Sequence, residues 1–103
     1  MSQWTHLIRS TDLPPGETCE IVVQETVLAV FNVDGDFHVL DGICPHQGGP
    51  LGKGTLNGCI VTCPWHGWQF DARTGQQQIN ARIIHGSYPT RSDGANIQVQ
   101  LST

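Results

Sequence analysis

The chain has 103 residues, a formal net charge of −4 and 38% hydrophobic residues, with no long apolar run. Its length predicts one domain spanning residues 1–103. The acidic balance argues against a nucleic-acid binder, which needs a basic face against the phosphates, and a transmembrane helix would need about twenty apolar residues. The N-terminus also lacks the basic and apolar regions of a signal peptide, so we expect a cytoplasmic protein.

Short β-prone segments alternate with turn signals along the chain, and no segment has the periodicity of a helix. The clearest turns are Asp34-Gly35, Asn57-Gly58 and Ser92-Asp93-Gly94, because these residue types accept the backbone angles of tight hairpins. The predicted strands, in chain order, are residues 4–8, 19–23, 27–33, 37–40, 60–62, 88–91 and 97–101. This pattern predicts an all-β fold, a small antiparallel sandwich or barrel.

Two irregular segments interrupt the strands, at about residues 42–54 and 63–71. Glycines and prolines in the first segment prevent a regular strand there. Each segment holds one cysteine and one histidine in a short motif, Cys44-Pro45-His46 and Cys63-Pro64-Trp65-His66. Because hairpins pair neighbouring strands, the two segments are expected to meet at one end of the fold.

Two thiolates and two imidazoles are the ligands of a [2Fe–2S] centre in which sulfur binds one iron and nitrogen binds the other. We therefore predict Cys44, His46, Cys63 and His66 as cofactor and metal ligands, and no catalytic residues. Glycines 48, 49 and 67 would let backbone N–H groups approach the sulfur atoms.

The remaining cysteines and histidines are assigned no chemistry. Cys19 and Cys59 lie in apolar, strand-like runs and are expected to be small buried residues. His6, His38 and His85 lie outside the two motifs. Two cysteines and two histidines also suit structural zinc, so a zinc-stabilised interaction module is an open alternative.

The Cys44-Pro45-His46 motif, followed by the run Cys63-Pro64-Trp65-His66-Gly67-Trp68-Gln69-Phe70-Asp71, resembles the Rieske iron–sulfur signature of bacterial ring-hydroxylating oxygenase systems. The resemblance covers almost the whole chain. It implies a small antiparallel β domain with an inserted cluster-binding subdomain and one Rieske-type [2Fe–2S] cluster.

The resemblance implies a soluble ferredoxin with no enzymatic activity of its own. Such a protein passes single electrons from a flavin-dependent reductase to a terminal oxygenase that acts on aromatic rings, as in aromatic hydrocarbon catabolism. The alternative within the family is a small Rieske subunit of a multi-subunit reductase, such as a nitrite reductase.

The sequence departs from the respiratory branch of this family. Gly49 and Trp65 stand where that branch has two disulfide-forming cysteines, and Trp68 and Phe70 stand where serine and tyrosine hydroxyls raise the potential. We therefore expect a reduction potential in the lower part of the Rieske range of roughly −150 to +300 mV. Residues 79–82 also lack the proline-rich character of the segment that often covers the cluster.

Overall fold

The computed structural model describes residues 4–43, 48–65, 67–80 and 82–101. The strands are β1 (Trp4–Arg9), β2 (Thr18–Val23), β3 (Thr26–Val33), β4 (Asp36–Asp41), β5 (Thr55–Asn57), β6 (Ile60–Thr62), β7 (Gln69–Asp71), β8 (Ser87–Tyr88), β9 (Thr90–Asp93) and β10 (Asn96–Gln100). Two single-turn 3-10 helices, Ser10–Asp12 and Leu51–Lys53, are the helical elements of this part of the chain. No helix among the described residues is long and apolar enough to cross a membrane.

The strands form three antiparallel sheets, which confirms the predicted all-β fold. The terminal sheet has the order β1-β10-β9, the central sheet β2-β3-β4-β8 and the small sheet β5-β6-β7. In β3 and β4 the register runs from Leu28 opposite Asp41 to Val33 opposite Asp36, closed by the predicted turn at Asp34-Gly35. The predicted turn at Asn57-Gly58 joins β5 to β6.

The structure differs from the prediction in three places. The strand predicted over residues 88–91 is divided at Pro89, with β8 pairing with β4 and β9 pairing with β10. Proline has no backbone N–H, so it suits the point at which the chain leaves one sheet for another. Strand β5 was missed, and the irregular segment predicted to reach residue 71 ends where β7 begins at Gln69. Three-residue strands are too short to show a period.

The central sheet is covered on both faces. Alternate residues of β3 point in opposite directions, so Leu28 and Val30 enter a first core shared with the terminal sheet. Ala29 and Phe31 enter a second core shared with the small sheet. The second core comprises Ala29, Phe31, Leu40, Leu51, Val61, Cys63, Phe70 and Ala72. One of the predicted ligands, Cys63, therefore belongs to a core.

Asn32 is a buried polar residue that links two turns. Its side-chain N–H donates to the carbonyl oxygen of Leu13 over 2.7 Å, and its side-chain oxygen accepts from the backbone N–H of Gly35 over 2.7 Å. A buried polar group is stable only when it is hydrogen-bonded, and both ends of this amide are.

We predict that Asn32→Ala lowers the free energy of unfolding by about 2 kcal/mol, because it leaves a carbonyl and an N–H without their partner. The measurement is urea unfolding of the holoprotein. Asn96→Ala is the matched control, because Asn96 is exposed in β10. Equal stability of both variants would contradict this role for Asn32.

Candidate metal centre

The first loop, residues 44–49, carries two of the predicted ligands and follows β4 in the sequence. Its base is closed by a bridge between Ile43 and Pro50. The carboxylate of Asp41 accepts the backbone N–H of Ile43 over 3.0 Å, and the backbone N–H of Leu51 donates to the carbonyl oxygen of Gly42 over 2.9 Å. These bonds hold in place the segments that lead into and out of this loop.

The second ligand-bearing loop, residues 63–68, follows β6. Its base is closed by the backbone N–H of Cys63, which donates to the carbonyl oxygen of Trp68 over 2.7 Å. Gly67 has a φ of +74°, a left-handed conformation that favours glycine at the turn. The two ends of this loop are thereby held together beside the small sheet.

The two loops are in direct contact at Gly49. A Cβ atom placed on Gly49 would lie 2.8 Å from Sγ of Cys63 and 2.9 Å from Cβ of Trp65. Glycine at this position therefore allows an approach to the thiol that any larger residue would prevent. Gly48, with a φ of +73°, turns the chain next to this contact.

Of the four predicted ligands, the structure describes Cys63, while Cys44, His46 and His66 lie outside the described residues. Cys63 is 1% exposed and its side chain is part of the second core. Among the described residues, no three His, Cys, Asp or Glu side chains form a group that could hold a metal ion. The assembly of the four ligands thus stays a prediction.

The donor set and its surroundings fit an iron–sulfur cluster. Two thiolates and two imidazoles supply the ligands that a mixed sulfur–nitrogen [2Fe–2S] centre needs. Gly49 packs closely beside Sγ of Cys63, at the point where the loops that carry the two motifs meet. If Cys63 is one ligand, the centre would be attached directly to the second core.

The other cysteines are less buried than the sequence indicates. Cys19 and Cys59 are both partly exposed free thiols rather than fully buried side chains. Cys19 packs against the first core, and burial raises the pKa of its thiol. Because the thiolate is the form that binds metal, this shift disfavours Cys19 as a ligand.

The tryptophans of the second loop have different environments. Trp68 packs against the second core. Trp65 is 49% exposed, although its Cβ and Cγ atoms lie beside Gly49. The residue next to His66 therefore offers an aromatic surface to solvent.

Sequence reasoning missed one residue beside the loops, His85. Its ring is 8% exposed, and Nε2 lies 2.7 Å from the carbonyl oxygen of Asp41 at the base of the first loop. The ring also packs at 5.5 Å from that of Phe70, which follows the second loop. His85 lies in a stretch without strand periodicity, so no local pattern signalled its position.

The segment between β7 and His85 runs beside the second loop. Backbone N–H groups of Asp71 and Gln78 bond to the carbonyl oxygens of Gln76 and Gln69, respectively. The segment thus runs antiparallel to β7, and Ile79 extends past the end of that strand nearest the second loop. Ile79 is 92% exposed. The segment lies along this edge of the small sheet although residues 76–79 contain no proline.

Comparison with known proteins identifies a family. The family described as "Rieske [2Fe-2S] domain" matches residues 3–83. The ferredoxin component of an alkene monooxygenase system from Xanthobacter autotrophicus is 34% identical over 89 residues, covering 85% of this chain and 73% of that protein. The ferredoxin component of a naphthalene 1,2-dioxygenase system from Pseudomonas aeruginosa is 26% identical over 102 residues, covering 97% of each chain.

Solved structures have the same fold. The Sphingomonas yanoikuyae B1 ferredoxin has a TM-score of 0.87 and 28% identity, covering 97% of this chain and all of that one (100%). A chain in the complex of oxygenase and ferredoxin of carbazole 1,9a-dioxygenase has a TM-score of 0.84 and 26% identity. The match covers 93% of this chain and 91% of that one. The small subunit of a putative nitrite reductase from Mycobacterium tuberculosis has a TM-score of 0.88 at 22% identity, with 100% and 98% coverage, a likeness of fold alone.

We predict that Gly49→Ala lowers the iron and sulfide content of the purified protein, because the new Cβ would push against Sγ of Cys63. The measurement is iron and acid-labile sulfide per chain. Gly86→Ala is the matched control, since a Cβ there would meet only Cβ of Asp41, at 3.9 Å. Full cluster content in Gly49→Ala would show that the loops do not need this close approach.

Proposed function

This chain belongs to the Rieske [2Fe–2S] domain family, and we propose that it works as a one-electron carrier, the ferredoxin of a multicomponent oxygenase system. In this role it accepts electrons from a flavin-dependent reductase and delivers them to a terminal oxygenase that acts on aromatic rings. One observation carries the proposal. The chain aligns over 97% of its own length and 97% of the length of a dioxygenase-system ferredoxin, so the two have matching extents.

We assign the cluster to Cys44 and Cys63 on one iron and His46 and His66 on the other. A Rieske-type [2Fe–2S] cluster supplies a site that takes up and releases one electron at a time. The loops that would hold it are closed at their bases by backbone hydrogen bonds, from the N–H of Cys63 to Trp68 and from the N–H of Leu51 to Gly42. The zinc alternative is set aside, since the family's cofactor is an iron–sulfur cluster.

We place the docking surface for both redox partners at the loop end of the molecule. Three large apolar side chains are exposed there, Trp65 on the second loop, Ile43 at the base of the first and Ile79 beside β7. An exposed apolar group of this kind is typical of a protein–protein contact. The solved complex of a ferredoxin with the carbazole 1,9a-dioxygenase oxygenase supports the oxygenase partner. The reductase partner and a cytoplasmic location are parts of the proposal that rest on the sequence.

The second candidate, a small subunit of a nitrite reductase, is supported only by likeness of fold at 22% identity. A permanent subunit would bury its exposed isoleucines against a partner at all times. Size-exclusion chromatography separates the two cases, because a ferredoxin is stable and monodisperse when purified alone.

We predict that Cys44→Ser and Cys63→Ser each abolish cluster binding, because a hydroxyl is a poor substitute for a thiolate ligand. The measurements are visible absorption, iron content and the electron paramagnetic resonance (EPR) spectrum of the reduced protein. Cys19→Ser and Cys59→Ser are matched controls that change the two cysteines outside the motifs and keep the cluster. Retained colour in both ligand variants would contradict the assignment.

The decisive experiment follows electrons through the purified protein. We expect spectroelectrochemical titration to show uptake of one electron per chain, with a midpoint in the lower part of the Rieske range of roughly −150 to +300 mV. With the reductase and oxygenase of a naphthalene dioxygenase system, product should form only when this protein is added, and the Cys63→Ser variant should not replace it. Oxidation of an organic substrate by this protein alone would overturn the proposal.

A further inference from the structure

We propose that His85 is a positioning residue for the iron–sulfur centre, which joins the bases of the two ligand-bearing loops and sets their relative placement. The inference rests on the proposed assignment of Cys44, His46, Cys63 and His66 as ligands. His85 is far from either motif in the sequence. Its ring contacts Asp41, which precedes the first loop, and Phe70, which follows the second loop.

The contact with the first loop is a hydrogen bond. Nε2 of His85 lies 2.7 Å from the carbonyl oxygen of Asp41. A carbonyl oxygen can only accept, so Nε2 carries the hydrogen and donates. Asp41 is the last residue of β4, and its own carboxylate accepts the N–H of Ile43. The imidazole therefore holds the residue from which the first loop departs.

The contact with the second loop is a packing contact. The imidazole ring lies against the ring of Phe70, with centroids 5.5 Å apart and an interplanar angle of 38°. Phe70 is completely buried in the second core together with Cys63, and it follows the second loop in β7. A displacement of the imidazole would therefore also displace Phe70, the residue of β7 that follows the second loop.

The backbone around His85 keeps the ring in place. Its N–H donates to the carbonyl oxygen of Gly75 over 2.7 Å, and the N–H of Asp41 donates to the carbonyl oxygen of Gly86 over 2.8 Å. A Cβ on Gly75, which has a φ of +82°, would lie against the carbonyl oxygen of His85. The imidazole is consequently attached to a rigid part of the chain on both sides.

A polar ring that is 8% exposed is stable only if its polar atoms have partners. An apolar residue would fill this volume with no such requirement, so packing alone does not explain a histidine here. What the imidazole adds is one directed hydrogen bond, aimed at the residue that begins the first loop. Groups that orient ligands in this way commonly change metal affinity by about 10- to 100-fold when they are removed.

The test compares two substitutions whose side-chain amides differ in length, and so in whether they can contact Asp41. The amide nitrogen of glutamine in His85→Gln occupies the position of Nε2 and can donate to Asp41, whereas the shorter side chain in His85→Asn cannot reach it. We expect His85→Gln, which keeps the donor but loses the ring, to stay close to the wild-type EPR spectrum and reduction potential. We expect His85→Asn, which loses both, to broaden the spectrum, shift the potential and hold iron about ten times less tightly against a chelator.

His6→Asn is the matched control, because His6 is an exposed histidine of β1 in the terminal sheet. It should leave spectrum, potential and iron affinity unchanged. If His85→Asn does not fold, His85→Phe takes its place, because it keeps a ring against Phe70 and lacks the donor. Wild-type behaviour of the variant without the donor, or failure of both such variants to fold, would overturn the positioning role.

The two proposals fail in different ways. Wild-type protein without stoichiometric iron and sulfide would contradict the assignment of the cluster ligands and leave nothing for His85 to position. Wild-type protein with a full cluster, combined with identical EPR spectra of His85→Gln and His85→Asn, would refute the role of His85 alone.

Discussion

The contact between Gly49 and Cys63 is the constraint on which the junction of the two loops depends. It brings two loops from different sheets within van der Waals distance, and it does so beside a thiol that is already fixed in a core. Because Cys63 belongs to the second core, it cannot move without disturbing Phe31 and Phe70. The first loop must therefore adapt to the second, and glycine at position 49 is what allows the approach.

The architecture separates stability from function. The first core joins the terminal and central sheets, which are closed at one end by the turn around Asn32 and Gly35. The second core carries the small sheet and the base of the second loop. Strand β3 contributes alternate residues to both cores, so the two halves share one rigid layer. The small sheet has strands of three residues and little core of its own, and the central sheet supplies the surface against which it packs.

Much of the fold was predictable because its signals are local. The hairpin turns at Asp34-Gly35 and Asn57-Gly58 were found because their residue types fit tight turns, and the two cysteine–histidine motifs are specific by spacing alone. The division of the strand predicted over residues 88–91 was missed because a short β-prone segment says nothing about which sheet it joins. His85 and the exposure of Trp65 were missed because both depend on contacts between segments distant in sequence. Local patterns carry no information about such contacts.

Some carboxylates lie at the end of the β3–β4 hairpin away from the loops, whereas Asp41 lies at the base of the first loop. Asp34 and Asp36 flank the turn between β3 and β4, and the backbone of Glu17 bonds to Asn32 next to that turn. Ile43 and Trp65 are exposed at the opposite end, where the loops rise. A partner that buries the loop end thus removes apolar surface from water and leaves these carboxylates solvated, which avoids the cost of desolvating a charge.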